Sequence, residues 1–164
     1  MTYIDCDGVI LDTETGLFDM YEVLKRDNPS LRKTIYLQEL DWDKWLQDAK
    51  ILNDAINILK NYDPKNNIIL TKVHSLKEGE SKINYFRNLQ IKNDVIIVPY
   101  TLMKSQIVNA KNNILIDDGI KNLDDWYNAG GIPIYYGDNI SEYVSVSSLE
   151  DVLLGKVLKK SSEY

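Results

Sequence analysis

Two pairs of carboxylates stand out in the sequence: Asp5-Cys6-Asp7-Gly8 near the start and Asp117-Asp118-Gly119 far downstream. Asp5 and Asp7 are two residues apart at the end of an apolar run, so in a strand they point the same way. Asp117 and Asp118 close a second such run. If both runs are neighbours in one sheet, up to four carboxylates meet at one edge. Like charges crowded in this way are unfavourable unless a cation joins them. An all-oxygen set of this kind suits magnesium. Read singly, each motif has a plainer explanation. The DxDG could be a calcium loop, with Glu14 at the right distance after Gly8, but Tyr3 would then be the first ligand and no helix could precede it. The Asp117-Asp118 pair could simply cap a helix.

Five short apolar runs supply the frame: Thr2–Ile4, Asn67–Leu70, Val95–Val98, Ile114–Ile116 and Ile132–Tyr136. Continuous apolar runs bounded by polar residues read as strands buried on both faces. Helical spacing lies between them, over Leu17–Arg26, Trp45–Tyr62, Lys77–Leu89, Lys104–Ala110 and Leu123–Ala129, the last stopping at Gly130-Gly131. The expected fold is α/β, a three-layer Rossmann-like parallel sheet of about five strands. The stretch before Asn67 is too long for a simple crossover, so residues 14–62 are expected to form a small helical cap inserted after the first strand. Asn28-Pro29-Ser30 is expected to be a turn inside it. Residues 1–164 are read as one domain. The polar tail 156–164 is expected to fray.

Composition narrows the possibilities. The chain has 164 residues, 44% hydrophobic and 27% charged, with net charge −6. That charge argues against a long nucleic acid or an anionic membrane as partner. No apolar run approaches a membrane span. The first strand-like run begins almost at Met1, so no secretory signal is expected. Cys6 is the one cysteine, so no internal disulfide can form, and the cytoplasm is the expected location. Between the two aspartates, the Cys6 side chain should point into the core.

In order and spacing the motifs resemble the haloacid dehalogenase-like superfamily. Asp5-x-Asp7-Gly8-Val9 resembles its first motif, Ile68-Ile69-Leu70-Thr71 its second, Lys104 its third and Ile114-Leu115-Ile116-Asp117-Asp118 its fourth. The stretch Asp117–Leu123, followed by Trp126 and Gly130-Gly131, further resembles the small-cap nucleotidases of that superfamily. The resemblance implies a magnesium-dependent phosphatase. Asp5 would be the nucleophile and Asp7 the acid/base, with a raised proton affinity so that it can donate. Magnesium would bind an Asp5 oxygen, the Asp7 main-chain carbonyl and Asp118, with Asp117 supporting from behind. Thr71 and Lys104 would stabilise charge on the phosphoryl oxygens.

These assignments have competitors in the sequence. Thr71 could merely cap a turn. Lys72, Lys82 and Lys111 rival Lys104; Lys72 could bind substrate or point outward. His74, the only histidine, reads as a loop residue rather than a catalyst. Trp42 and Trp45 read as packing, with stacking on a nucleobase as the sharper alternative. The expected substrate is a small phosphate ester, with a nucleoside monophosphate preferred over a sugar phosphate. A phosphorelay receiver domain is disfavoured, because it would put its acidic pair first and its phosphorylated aspartate on a middle strand. A ligand-binding protein without catalysis is disfavoured because every acidic position the chemistry needs is present. Dehalogenation would leave Asp7 and the metal ligands without a use. Phosphonate cleavage and phosphomutase activity are compatible with the scaffold, but the short insert and the paired aspartates favour hydrolysis.

Overall fold

The computed structural model of the chain describes residues 1–138 and 141–153. The expected tail 156–164 lies outside them. Six strands form a single parallel sheet: β1 Thr2–Ile4, β4 Asn67–Val73, β5 Val95–Pro99, β6 Ile114–Asp117, β7 Ile132–Tyr136 and β8 Val144–Val146, in the order β5-β4-β1-β6-β7-β8. The expected α/β parallel sheet is therefore present, one strand larger. The additional strand β8 is short and only partly buried, so it lacks the continuous apolar run by which the others are recognised.

Helices cover both faces. On one face, α4 (Ala55–Asn61) and α5 (Leu76–Asn88) belong with the apolar cluster of Ile4, Ile69, Ile116 and Phe86. On the other, α6 (Ile120–Asn128) and a 3₁₀ turn (Lys104–Gln106) flank Tyr3, Leu70, Leu115, Leu123 and Trp126. The short terminal helix α7 (Leu149–Leu153) follows β8. Among the described residues no helix is long and apolar enough to cross a membrane.

Between β1 and β4 the chain forms a two-stranded ribbon, β2 (Leu11–Asp12) with β3 (Lys50–Ile51), and three helices, α1 (Leu17–Asp27), α2 (Lys33–Glu39) and α3 (Trp42–Asp48). The chain turns at Asn28-Pro29-Ser30 between α1 and α2, as expected. The single helix expected over Trp45–Tyr62 is instead broken. Ala49 is extended, Lys50–Ile51 pairs with Leu11–Asp12, and Asn53 and Asp54 both take positive φ, 42° and 58°. An apolar spacing near 3.6 survives the break because both pieces pack on the same core. The helix expected over Lys104–Ala110 is likewise only a 3₁₀ turn.

The sheet order places the site. The connections from β1 run to β4 on one side, and β6 lies on the other, so the chain switches direction at β1. In open parallel sheets the crevice for a ligand forms at such a switch, beyond the carboxyl ends of the strands. Asp5 and Asp7 follow β1, Thr71 and Lys72 lie near the end of β4, Asp117 ends β6 and Asp118 follows it.

Candidate active site

A cleft of about 370 Å³ opens at that switch point, lined by Asp5, Asp7, Glu14, Lys72, Asp117, Asp118, Gly119 and Asn122. Asp5 is held at its base. It is buried, and its Oδ1 accepts a 2.8 Å hydrogen bond from the Lys104 ammonium, which also donates to Asp117 Oδ2 at 2.7 Å. Lys104 is itself 1% exposed, so one buried cation neutralises parts of two carboxylates from adjacent strands. Burial alone would lower the Lys104 proton affinity, but Asp117 and Asp5 more than offset it and hold the lysine charged.

Asp117 has little left to offer. Its Oδ1 accepts from the Gly119 backbone N–H at 2.8 Å, and its Oδ2 accepts from both Lys104 and the Asn122 amide at 3.1 Å. Asp118 differs: among the described residues it has no lysine partner and stays half-buried in the cleft. Burial, then Asp117 and Glu14, pushes Asp118 up to about 7. Burial and Asp117 also push Asp5 well above the ordinary carboxylate range, against the pull of Lys104.

These residues fit a hard divalent cation. Oxygens of Asp5, Asp117 and Asp118 lie within 4.8 Å of one another, and a positive charge there would relieve the repulsion that raises Asp5 and Asp118. Gly8 gives the cluster its room. Its φ is +79°, and a β-carbon there would fall 2.0 Å from Asp118 Oδ2.

Asp7 occupies the other wall. Its Oδ2 accepts from the Lys82 ammonium at 2.8 Å, and its Oδ1 accepts from the Thr13 hydroxyl at 2.7 Å. The Lys82 ammonium also donates to Thr71 Oγ1 at 3.0 Å, the Lys72 carbonyl at 3.1 Å and Glu78 Oε2 at 3.2 Å. Burial would raise Asp7, but Lys82 and the Thr13 hydrogen bond prevail and hold it below the ordinary carboxylate value. The raised proton affinity expected for Asp7 is therefore not found in the free protein. A lysine that the sequence offered only as a rival of Lys104 reverses its sign.

Thr71 is fully buried beside Asp7 and Lys82. Lys72 turns to the other face of β4 and lines the cleft. Burial and then Lys104 lower its proton affinity. Lys111 is exposed and packs near Gly130, away from the cleft. His74 bonds Glu78 Oε1 at 3.0 Å and stacks on Tyr100, with ring centroids 5.1 Å apart. Cys6 is buried in the core, as expected.

Neither tryptophan of the insert lines the cleft. Trp42 is 3% exposed, donates from Nε1 to the Leu37 carbonyl at 2.8 Å, and lies under Lys82, whose ammonium is 5.8 Å from the ring centroid. Trp45 donates to the Thr13 carbonyl at 2.7 Å, fixing the loop that carries Thr13 to Asp7. Trp42 is thus packed in the core, and Trp45 is half-buried and faces a groove with Asp12, Thr15 and Lys50 rather than the cleft. The nucleotidase-like stretch also has a packing account, since Trp126 is buried against Tyr3 and a β-carbon at Gly131 would lie 2.3 Å from its ring. Sequence reasoning missed Thr13 and the function of Lys82. The only signal for the latter was Glu78 and Lys82 spaced i, i+4 on the inward face of α5.

No family model matches this chain, and neither does any curated protein. Solved structures do match. A HAD hydrolase of family IA, variant 3, from Entamoeba histolytica is 14% identical, covers 96% of this chain and 97% of its own, and superimposes with a TM-score of 0.64. The HAD-hydrolase YfnB from Bacillus subtilis, solved bound to magnesium, is 11% identical over 92% of this chain and 95% of its own, with a TM-score of 0.61. A D,D-heptose 1,7-bisphosphate phosphatase from Burkholderia thailandensis is 11% identical over 95% and 97%, with a TM-score of 0.56. At these identities the likeness shows the fold. The chain has the haloacid dehalogenase-like α/β fold, the one its motifs imply.

Proposed function

We propose that this chain is a magnesium-dependent phosphomonoester hydrolase that passes its phosphoryl group through Asp5. The observation that carries the reading is the buried lysine Lys104, bridging Asp5 and Asp117 next to Asp118, with Asp7 on the facing wall. The fold it shares with a phosphatase and with a magnesium-bound hydrolase supports the same reading.

Asp5 attacks phosphorus, the bond from phosphorus to the ester oxygen breaks, and Asp7 gives that oxygen its proton. Water then attacks the aspartyl-phosphate, Asp7 takes the water's proton, and inorganic phosphate leaves with Asp5 restored. In the free protein Asp7 is held as a carboxylate, ready for the second step. The first step needs the arriving phosphoryl dianion to raise its proton affinity against Lys82. Thr71 would donate to a phosphoryl oxygen. Asp5, Asp118 and the Asp7 carbonyl would hold magnesium, which supplies charge against the repulsion between Asp5 and the phosphate.

Within the insert of residues 14–62, α1–α3 would act as a small cap that narrows one side of the cleft through Glu14 and the Thr13 loop, within a single domain, while α4 covers the sheet. The substrate is a small phosphate ester rather than a long polynucleotide. A nucleoside monophosphate stays in the panel on the resemblance of 117–131 alone, since Trp42 is not free to stack.

The test is a panel of nucleoside monophosphates, sugar phosphates and aryl phosphates with and without magnesium, followed by acid quenching and peptide mass analysis. Metal-dependent release of phosphate, with one phosphoryl group on the peptide carrying Asp5, is expected. Asp5→Asn should lose on the order of 10³-fold or more. Full turnover by a folded Asp5→Asn protein would sink the mechanism.

A further inference from the structure

Three lysines reach the cleft, and two are committed. The Lys104 ammonium spends two of its three protons on Asp5 and Asp117. Lys82 has four acceptors around it for three protons. Lys72 is the exception. Its ammonium lies 3.7 Å from Met103 Sδ, and among the described residues no carboxylate comes within ion-pair distance. It is half-buried, so the cation is neither fully solvated nor paired.

Its direction is set by the strand. Side chains alternate along β4, so Thr71 faces the α5 side with Ile69, whereas Lys72 follows Ile68 and Leu70 to the α6 side. Lys104 comes from that same side. Asp5 is thus approached by Thr71, Asp7 and Lys82 from one face of the sheet and by Lys104 and Lys72 from the other. The cleft is otherwise acidic: Asp5, Asp7, Glu14, Asp117 and Asp118 all line it. A phosphate arriving there brings further negative charge and needs donors that are not already taken.

We propose that Lys72 is a second phosphoryl-binding lysine of this site, its ammonium donating to the non-bridging oxygens of the group being transferred beside Lys104, which also ties the carboxylates together. This assignment rests on the phosphohydrolase reading of the same cleft. It gives Lys72 contact with the reacting group and makes it a catalytic residue, because charge on those oxygens changes as the group is transferred.

The test uses Lys72→Met, which keeps most of the side chain's length and removes its charge, and Lys72→Arg. Calorimetric binding of inorganic phosphate and of orthovanadate is measured in magnesium, together with kcat/KM on an aryl phosphate and on a phosphate ester carrying a carboxylate. Lys72→Met should weaken both anions by about tenfold or more and lower kcat/KM on both esters by roughly 10²-fold, in the range seen when one charge-stabilising donor is removed. Lys72→Arg should recover part of each. Unchanged anion affinity in a folded Lys72→Met protein would overturn the proposal. So would a loss confined to the carboxylate-bearing ester, which would move Lys72 to the leaving group. If the wild-type protein binds phosphate through Lys72 but turns over no ester, the hydrolase reading fails and the lysine assignment stands.

Discussion

A β-carbon added to Gly8 would sit 2.0 Å from Asp118 Oδ2, so the turn after β1 and the end of β6 interlock at a position where only glycine fits. Gly8 also holds φ +79°, which costs other residues about 1–2 kcal/mol. Gly8→Ala should therefore do two things. It should lower stability by roughly 1–3 kcal/mol through backbone strain and crowding. It should also push the Asp118 carboxylate out of the cluster, so that magnesium no longer raises the melting temperature. Thermal melts with and without magnesium read both effects. An alanine variant that keeps the wild-type magnesium shift would show that Asp118 does not hold the ion from this position.

Lys104 is expected to be worth more to the fold than a surface lysine. Replacing it by Met leaves Asp5 and Asp117 buried without their shared cation, and breaking a buried pair typically costs about 3–5 kcal/mol. Asp117→Asn should recover part of that loss in the Lys104→Met background, because it removes one of the two stranded charges. Urea unfolding of the four proteins in the cycle measures the coupling. If the two substitutions simply add, the bridge is not an energetic unit.

The frame of this site was readable because it rests on local signals. Ile68–Leu70 and Ile114–Ile116 are continuous apolar runs, and Asp5, Asp7, Asp117 and Asp118 follow their strands directly, so strand ends and acidic pairs could be placed together. What was hidden depends on packing between distant segments. Lys82 belongs to a helix that carries it inward to Asp7, and Thr13 reaches Asp7 only because Trp45 holds its loop. Trp42 looked available for stacking because it sits among polar residues. It is instead buried under Lys82, with its Nε1 donating to the Leu37 carbonyl of the preceding helix, a contact between segments that its local sequence does not reveal. Val144–Val146 was missed because an edge strand need not be apolar throughout.

Asp7 should show its acid role through the leaving group. An aryl oxygen leaves with little protonation, whereas an alkyl oxygen needs a proton, so Asp7→Asn should lose at least tenfold more activity on an alkyl phosphate than on an aryl phosphate. Lys82→Met should also change the ratio between the two esters, because the cation holding Asp7 as a carboxylate is gone. Paired kcat/KM measurements on both esters decide it. Equal losses on both by Asp7→Asn would remove Asp7 from the acid role.

Asp118 makes the metal dependence a function of pH. Its ordinary value is 3.8, and in the folded protein burial, Asp117 and Glu14 push it up to about 7. Between those values the folded chain keeps a proton that the unfolded chain has released. The stability tied to this proton is fully present below about pH 4 and is lost as pH rises through about 7. Magnesium acts in the opposite sense. It binds the ionised carboxylate, so it must displace the proton at pH 6 but finds the site open at pH 8. The rise in melting temperature on adding a fixed, saturable concentration of magnesium should thus be larger at pH 8 than at pH 6, by several degrees, since about 1 kcal/mol moves a domain of this size by roughly 2–4 °C. Asp118→Asn should raise the metal-free melting temperature at pH 8, where the charge is costly, and abolish the magnesium response at both values. A magnesium shift that is the same at pH 6 and pH 8 in the wild-type protein, or that survives in Asp118→Asn, would remove Asp118 as the residue that couples proton and metal.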